Sequence, residues 1–415
     1  MMRALAFAVP WLAIRLLAQD PSSSVAGLRA GQAPFFEARK QQTEYFGPGR
    51  EDPEPEGLED VAVAYFGPAD PAHPEGGDLW RAVSLAFEEA NREGGYRGLP
   101  FRLIPCWSDN PWSGGAGLLA RTIYEHRVWA IIGGIDGPST HLAEQVAVKA
   151  RVPIISPAAT DKTANLANVP WIFSSLPGDH LLAAVIGRAL IEETAGRSFV
   201  ILAATDHDSH RLLVEVDRYL GSQRAVPTFR FEFRGGEDPA LMVRQVAAAR
   251  PAAVILLAGA RESASVLELL RKEGYTGKVF GGPAMGRRLF LEHAEAEGIV
   301  FPLPGDAGPA NVQFARDFAA RFGVRPDYVA AHAYESARML AAAIRAAGLN
   351  RARIRDALRD LSPWTGAAVH LRWDPLGQNQ GAVVPATIRK GVVSPVFPPV
   401  LSPAADPFLP HSGPR

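Results

Sequence analysis

Residues 129–160 read Trp-Ala-Ile-Ile-Gly-Gly-Ile-Asp-Gly-Pro-Ser-Thr-His-Leu-Ala-Glu-Gln-Val-Ala-Val-Lys-Ala-Arg-Val-Pro-Ile-Ile-Ser-Pro-Ala-Ala-Thr. The apolar run 129–133 reads as a strand, 140–150 as a helix, and 152–156 as the next strand. A strand, a helix and a strand in succession place the two strands in parallel, because parallel neighbours need a long crossover connection. The same pattern extends in both directions. Upstream, 61–66 is a strand closed by Gly67-Pro68, and Leu79, Val83, Ala86, Phe87 and Ala90 then recur at helical spacing. Gly94-Gly95 ends that helix, followed by a strand at 101–105 and a helix at 118–126. Downstream come a helix at 179–194, a strand at 199–203, helices at 211–220 and 239–249, a strand at 252–258 and a helix at 262–273. Strands at 278–281 and 298–301, helices at 311–322, 328–347 and 351–361, and late strands at 367–373 and 382–389 complete the order. The expected fold is α/β, with two doubly wound parallel-sheet lobes joined by multiple hinge crossovers. Ligands of such sheets gather beyond the carboxyl ends of the strands.

The chain has 415 residues, more than one ordinary domain holds. Its 47% hydrophobic and 21% charged content fits folded globular domains and argues against a polytopic membrane protein. A net charge of −1 supplies no basic field, so no nucleic-acid partner is expected. Cys106 is the only cysteine, which excludes an intramolecular disulfide and a cysteine-based zinc site; it reads as a small apolar residue.

Residues 1–26 have the parts of an export signal: Arg3, an apolar run, and small residues at Ala18 and Ala26 as cleavage points. No cysteine stands there to carry a lipid, so an exported periplasmic protein is expected; the alternative reading of the segment is a disordered or helical N-terminal arm of a cytoplasmic protein. Residues 27–58 read as an extended linker, with the proline- and acid-rich stretch 47–57 as a solvated spacer, and 398–415 as a proline-rich tail.

Several segments together carry a family resemblance. They are Ala86-Phe87-Glu88-Glu89-Ala90-Asn91 with Gly94-Gly95, Ile131-Ile132-Gly133-Gly134, residues 152–160, Phe280-Gly281-Gly282, and Ala330-Ala331-His332-Ala333-Tyr334-Glu335-Ser336. In order and spacing the chain resembles the type I periplasmic solute-binding proteins of the branched-chain amino acid family of ABC transporters. The resemblance implies a trap whose lobes close on a solute and deliver it to transporter membrane subunits, with no enzymatic activity and no cofactor. It places 59–175 and 306–361 in lobe I, and 176–305 and 362–397 in lobe II.

The resemblance also implies where the solute sits. Ala158, through its backbone, and Thr160, through its hydroxyl, would grip an amino-acid head group; read alone, Thr160 is equally a cap or turn residue. Where relatives carry a serine for the ligand carboxylate this chain has Gly137, whose amide could serve, with Ser139 either a contact or a helix cap. Asp208 stands where an aromatic residue is usual and could pair with a cationic group, or belong to a solvated polar loop. Arg261 could clamp an anion or face water. Ala284 falls where relatives hold the ligand ammonium with an acid, which alanine cannot do. Glu75, in the glycine-rich loop after the first strand, is then a substitute acid beside Asp208, and Trp112 is a candidate cover.

Two rivals remain open at this level. One is a ligand-sensing receptor or regulatory subunit on the same fold. The other is a metal-dependent hydrolase using Asp206, His207, Asp208 and His210, but close spacing in a loop supplies no convergent geometry, and no metal ligand is assigned. Hydrolase elbows, zinc-helix motifs, phosphate loops and dinucleotide fingerprints are absent from the sequence.

Overall fold

The computed structural model describes residues 45–167, 169–305 and 309–396, so the expected signal segment 1–26 and the tail 398–415 lie outside the described residues. The first sheet takes β1 (Val61–Phe66), β2 (Phe101–Pro105), β3 (Ala130–Gly133), β4 (Ile154–Ser156) and β5 (Ile172–Pro177). Between them run helices α1 (Gly77–Arg92), α2 (Ala116–Glu125), α3 (Gly137–Ala150) and the single turn α4 (Thr163–Leu166). The strands order as β2-β1-β3-β4-β5, all parallel.

β1 shows why both faces of this sheet are covered. All six of its residues are buried. Val61, Val63 and Tyr65 pack with Leu79 and Phe87 of α1, while Ala62, Ala64 and Phe66 pack with Leu119 and Ile123 of α2 and Leu142 of α3. A strand apolar on both faces is the signature of a sheet sandwiched between helices.

The second sheet repeats the plan. α5 (Asp179–Thr194) leads to β6 (Phe199–Ala204), α6 (His207–Ser222), β7 (Phe229–Phe233), α7 (Ala240–Ala249), β8 (Ala253–Leu257), α8 (Ala260–Lys272), β9 (Lys278–Gly281), the turn α9 (Arg288–Leu291) and β10 (Val300–Pro304). Its order is β7-β6-β8-β9-β10, again parallel. Val200 and Leu202 face α7 and α8; Ile201 and Ala203 face α5 and α6.

The chain then returns to the first sheet. α10 (Pro309–Phe322) and α11 (Tyr328–Ala347) join α1 in the first core, followed by α12 (Arg351–Asp360) and the hairpin β11 (Trp364–Thr365) with β12 (His370–Leu371). Glu335 of α11 pins that hairpin, accepting the Ala368 amide at 2.6 Å and the Trp364 indole N–H at 2.9 Å. β13 (Gln378–Asn379) pairs with β5, and only then do β14 (Val383–Arg389) and β15 (Val392–Pro395) extend the second sheet in antiparallel fashion.

Four features differ from the sequence reading. Residues 362–381 fall with the first sheet, not the second, because Gln378 pairs with Ser174 and the Asn379 side chain donates to the Ser175 carbonyl at 2.7 Å. β7 is an additional edge strand in which Phe229, Phe231 and Phe233 alternate with the exposed Arg230 and Glu232. α6 begins at His207, four residues earlier than expected, because the Asp206 carboxylate accepts the Ser209 amide at 3.0 Å and caps it. The stretch 45–58 is docked on the first lobe, not a free spacer. Tyr45 stacks on Trp171, Arg50 pairs with Asp356 at 2.6 Å, and Glu54 accepts the Tyr96 hydroxyl at 2.9 Å.

The chain passes between the sheets three times, after β5, after β10 and after β13. His332 of α11 lies beneath two of these crossings, fully buried, with Nε2 3.6 Å from where a Cβ at Gly305 would stand. Burial pulls its imidazole down from 6.5 to about 4, and the nearby backbone of Ser175 and Pro304 only partly opposes this. The unfolded chain takes this proton near pH 6.5 and the folded one only near pH 4. Stability is therefore undiminished above pH 6.5 and falls between 6.5 and about 4, by up to roughly 3 kcal/mol. A His332→Gln variant, which has no proton to gain, should lose less stability than the parent between pH 7 and pH 4.5. Parallel losses in urea titrations of the two proteins would contradict this.

Candidate functional site

Each sheet has one place where strand order reverses: between β1 and β3 in the first and between β6 and β8 in the second. Loops leaving adjacent strands diverge there, opening a crevice at the carboxyl ends. The two crevices face each other across a cavity of about 260 Å³. The first lobe contributes Glu75 after β1, Asp136 after β3, and Ala158 and Thr160 after β4. The second contributes Asp206 and Asp208 after β6, the backbone 258–260 after β8, and Ala284 after β9. Arg287 and Tyr328 close one end.

The lobes touch on both sides of this cavity. On one side Arg287, from the second lobe, donates from Nε to Asp327 at 2.7 Å and from Nη2 to the Glu75 carbonyl at 2.8 Å, with the Glu75 carboxylate 3.4 Å from Nη1. Asp327 is buried and also caps α11, accepting the Ala330 amide at 2.9 Å. Arg288 adds a second bridge, to Asp78 at 3.0 Å. On the other side the Asp208 carboxylate accepts the Gly137 amide at 3.0 and 3.1 Å, and His207 Nε2 lies 2.6 Å from Asp161.

The Gly137–Asp208 pair needs the glycine. A Cβ at Gly137 would stand 2.3 Å from Asp208 Oδ1 and 3.0 Å from the His207 ring, so a serine there would push the Asp208 carboxylate off the Gly137 amide. Asp208 thus occupies the N-terminus of α3, a place that favours anions. Burial, and then the neighbouring Asp136, push its carboxyl up to about 7, against the pull of the Gly137 amide and His207. Asp179, buried beside Thr160, is also held well above the carboxylate range by burial, which the Thr160 side chain opposes only in part.

Of the residues proposed from sequence, Glu75, Ala158, Thr160, Asp208 and Ala284 line the cavity. Gly137 stands behind Asp208. Ser139 is a cap: its hydroxyl accepts the Ile135 amide at 3.0 Å while its own amide donates to Asp136 at 2.8 Å. Trp112 is 61% exposed in a turn after β2 and does not line the cavity. Arg261 is exposed on the first turn of α8 and does not line the cavity, although Ala258, Gly259 and Ala260 before it do. Cys106 is buried, its thiol pushed up to about 12 by burial. The residues that sequence reasoning missed are Asp136, Arg287 and Tyr328; a capping aspartate before a helix was the only available signal for any of them.

A profile described as periplasmic binding protein matches residues 67–391, and the chain belongs to that family. No curated protein sequence matches it. Among solved structures, the branched-chain amino acid substrate-binding protein LivJ of Streptococcus pneumoniae, in complex with isoleucine, is 19% identical. It has a TM-score of 0.74 over 80% of this chain and 97% of that one. The leucine-binding protein LivK of Thermotoga maritima is 21% identical, with a TM-score of 0.72 over 81% and 98%. A Rhodopseudomonas palustris solute-binding protein in complex with benzoate is 13% identical, with a TM-score of 0.72 over 83% and 98%. Among the described residues no helix is long and apolar enough to cross a membrane.

Arg287→Ala would leave Asp327 buried without its cation, which costs about 3–5 kcal/mol. Arg287→Lys, keeping the charge but not the two-sided fork, should fall between that variant and the parent in chemical denaturation. An unchanged midpoint for Arg287→Ala would show that the bridge contributes nothing.

Proposed function

We propose that this chain captures a small amino acid, or a related amide or carboxylate, between its two lobes and presents it to the membrane subunits of an ABC transporter from outside the cytoplasm. The observation that carries this reading is the cavity itself, lined from both lobes, by Ala158 and Thr160 and by the carboxylates of Glu75, Asp136, Asp206 and Asp208. At about 260 Å³ it is below the range of drug-sized pockets and suits a solute of amino-acid size. The Thr160 hydroxyl and the backbone at Ala158 suit a carboxylate or amide. Glu75 and Asp208 supply the counter-charge for an ammonium that Ala284 cannot. An ammonium buried without such a partner would cost several kcal/mol.

Isoleucine and benzoate in the structural relatives bracket the solute class without fixing it. The experiment is a thermal-shift panel of amino acids, amides and aromatic acids, followed by calorimetry on any hit. A solute that binds only the folded form raises the melting temperature by mass action. For a hit with an ammonium group, Thr160→Ala and Asp208→Asn should each weaken binding by roughly 10-fold, about 1.4 kcal/mol. Undiminished affinity in both variants would place the solute elsewhere.

A further inference from the structure

Beside the cavity, and lining no part of it, three side chains remote in sequence converge. His141 stands on α3 and Asp161 on the loop after β4, both in the first lobe; His207 opens α6 in the second. Asp161 is 2% exposed, and its two oxygens have different partners. Oδ1 accepts the Thr163 amide at 2.8 Å and the Thr163 hydroxyl at 2.6 Å, with the Arg211 guanidinium 3.6 Å away. Oδ2 faces the imidazoles, 3.0 Å from His141 Nε2 and 2.6 Å from His207 Nε2. One ligand atom from each residue lies within 4.8 Å of the others. Around an ion with bonds of about 2.0–2.2 Å, neighbouring ligand atoms are about 3–3.5 Å apart, so small shifts bring this triangle onto one centre.

The surroundings are those of an oriented ligand set. Glu144 Oε2 lies 3.4 Å from His141 Nδ1, where it can fix the tautomer that leaves Nε2 free to bind. We propose that His141, Asp161 and His207 form a lobe-bridging site for a divalent transition-metal ion of the zinc or nickel type, complete only when the lobes are closed. Two imidazoles and one carboxylate suit those ions, whereas magnesium and calcium take oxygen ligands. The ion replaces the protons shared between Asp161 Oδ2 and the two Nε2 atoms. With two ligands on one lobe and the third on the other, it binds the closed form more tightly and shifts the population toward it. By the same linkage, ion and solute reinforce one another.

The test uses the full chain without a histidine tag, stripped with EDTA and titrated with zinc chloride by calorimetry. One ion per chain is expected, with binding weakened by roughly 100-fold or more in His207→Asn and about 10-fold in Glu144→Gln. The His207 side chain is 38% exposed, so its replacement should leave the circular dichroism spectrum unchanged; His141→Asn provides an independent second variant. Zinc should reduce the radius of gyration of the solute-free parent and leave that of His207→Asn unchanged. No binding to the parent, equal affinity in the parent and both histidine variants, or equal affinity for magnesium would overturn the site. Solute binding by the metal-free chain is a separate measurement, so loss of this proposal leaves the solute reading standing.

Discussion

Arg287 leaves the second lobe and ends among carboxylates of the first, against Asp327 and Glu75. Neither lobe satisfies these charges alone. Apart, the lobes would leave Asp327 at the head of α11 with the Ala330 amide and water but no cation beside it. Together, they bury the pair, which holds its position only while its partner is present. Other contacts across the cleft accompany this docking: Arg288 with Asp78 beside it, and elsewhere Asp208 with the α3 N-terminus, His207 and Arg211 with Asp161, and Lys162 with Glu215.

The sheets explain why those residues meet. Two domains of the same winding each open a crevice at one strand reversal, and the three passages of the chain between the sheets fix which way the crevices look. The cavity is therefore a property of the closed arrangement, and a solute that touches both walls changes the balance between open and closed forms by its differential affinity.

Much of the fold is legible in the sequence because the strands are covered on both faces. Runs such as Val61–Phe66 stand out against their surroundings, and the glycines and helical spacing between them leave few alternatives. The strand-end positions Glu75, Ala158, Thr160 and Asp208 were readable for the same reason. Trp112 and Arg261 also follow strands, but whether a side chain reaches the cavity depends on the path of its loop and the face of its helix, which the linear order does not state: both side chains are exposed, Arg261 beside Ala260, which does line the cavity. β13 has only two residues and is defined by its pairing with β5, so no periodicity could mark it. Arg287 and Asp327 are 40 residues apart, and Gly137 and Asp208 are 71 apart. The chemistry of such pairs exists only once the lobes dock, and a lone arginine after a strand looks like any exposed one.

The lobes are two bodies held together across a solute cavity, and their separation can be read directly as a distance. In a Cys106→Ser background, which removes the chain's only native thiol, spin labels at cysteines replacing the exposed Glu125 and Gln223 report the separation of the lobes by pulsed dipolar spectroscopy. With a calorimetrically verified solute one narrow, short distance is expected. Without it, the distribution should broaden and extend to longer separations. Identical distributions with and without the bound solute would show that the lobes do not move as two bodies around it.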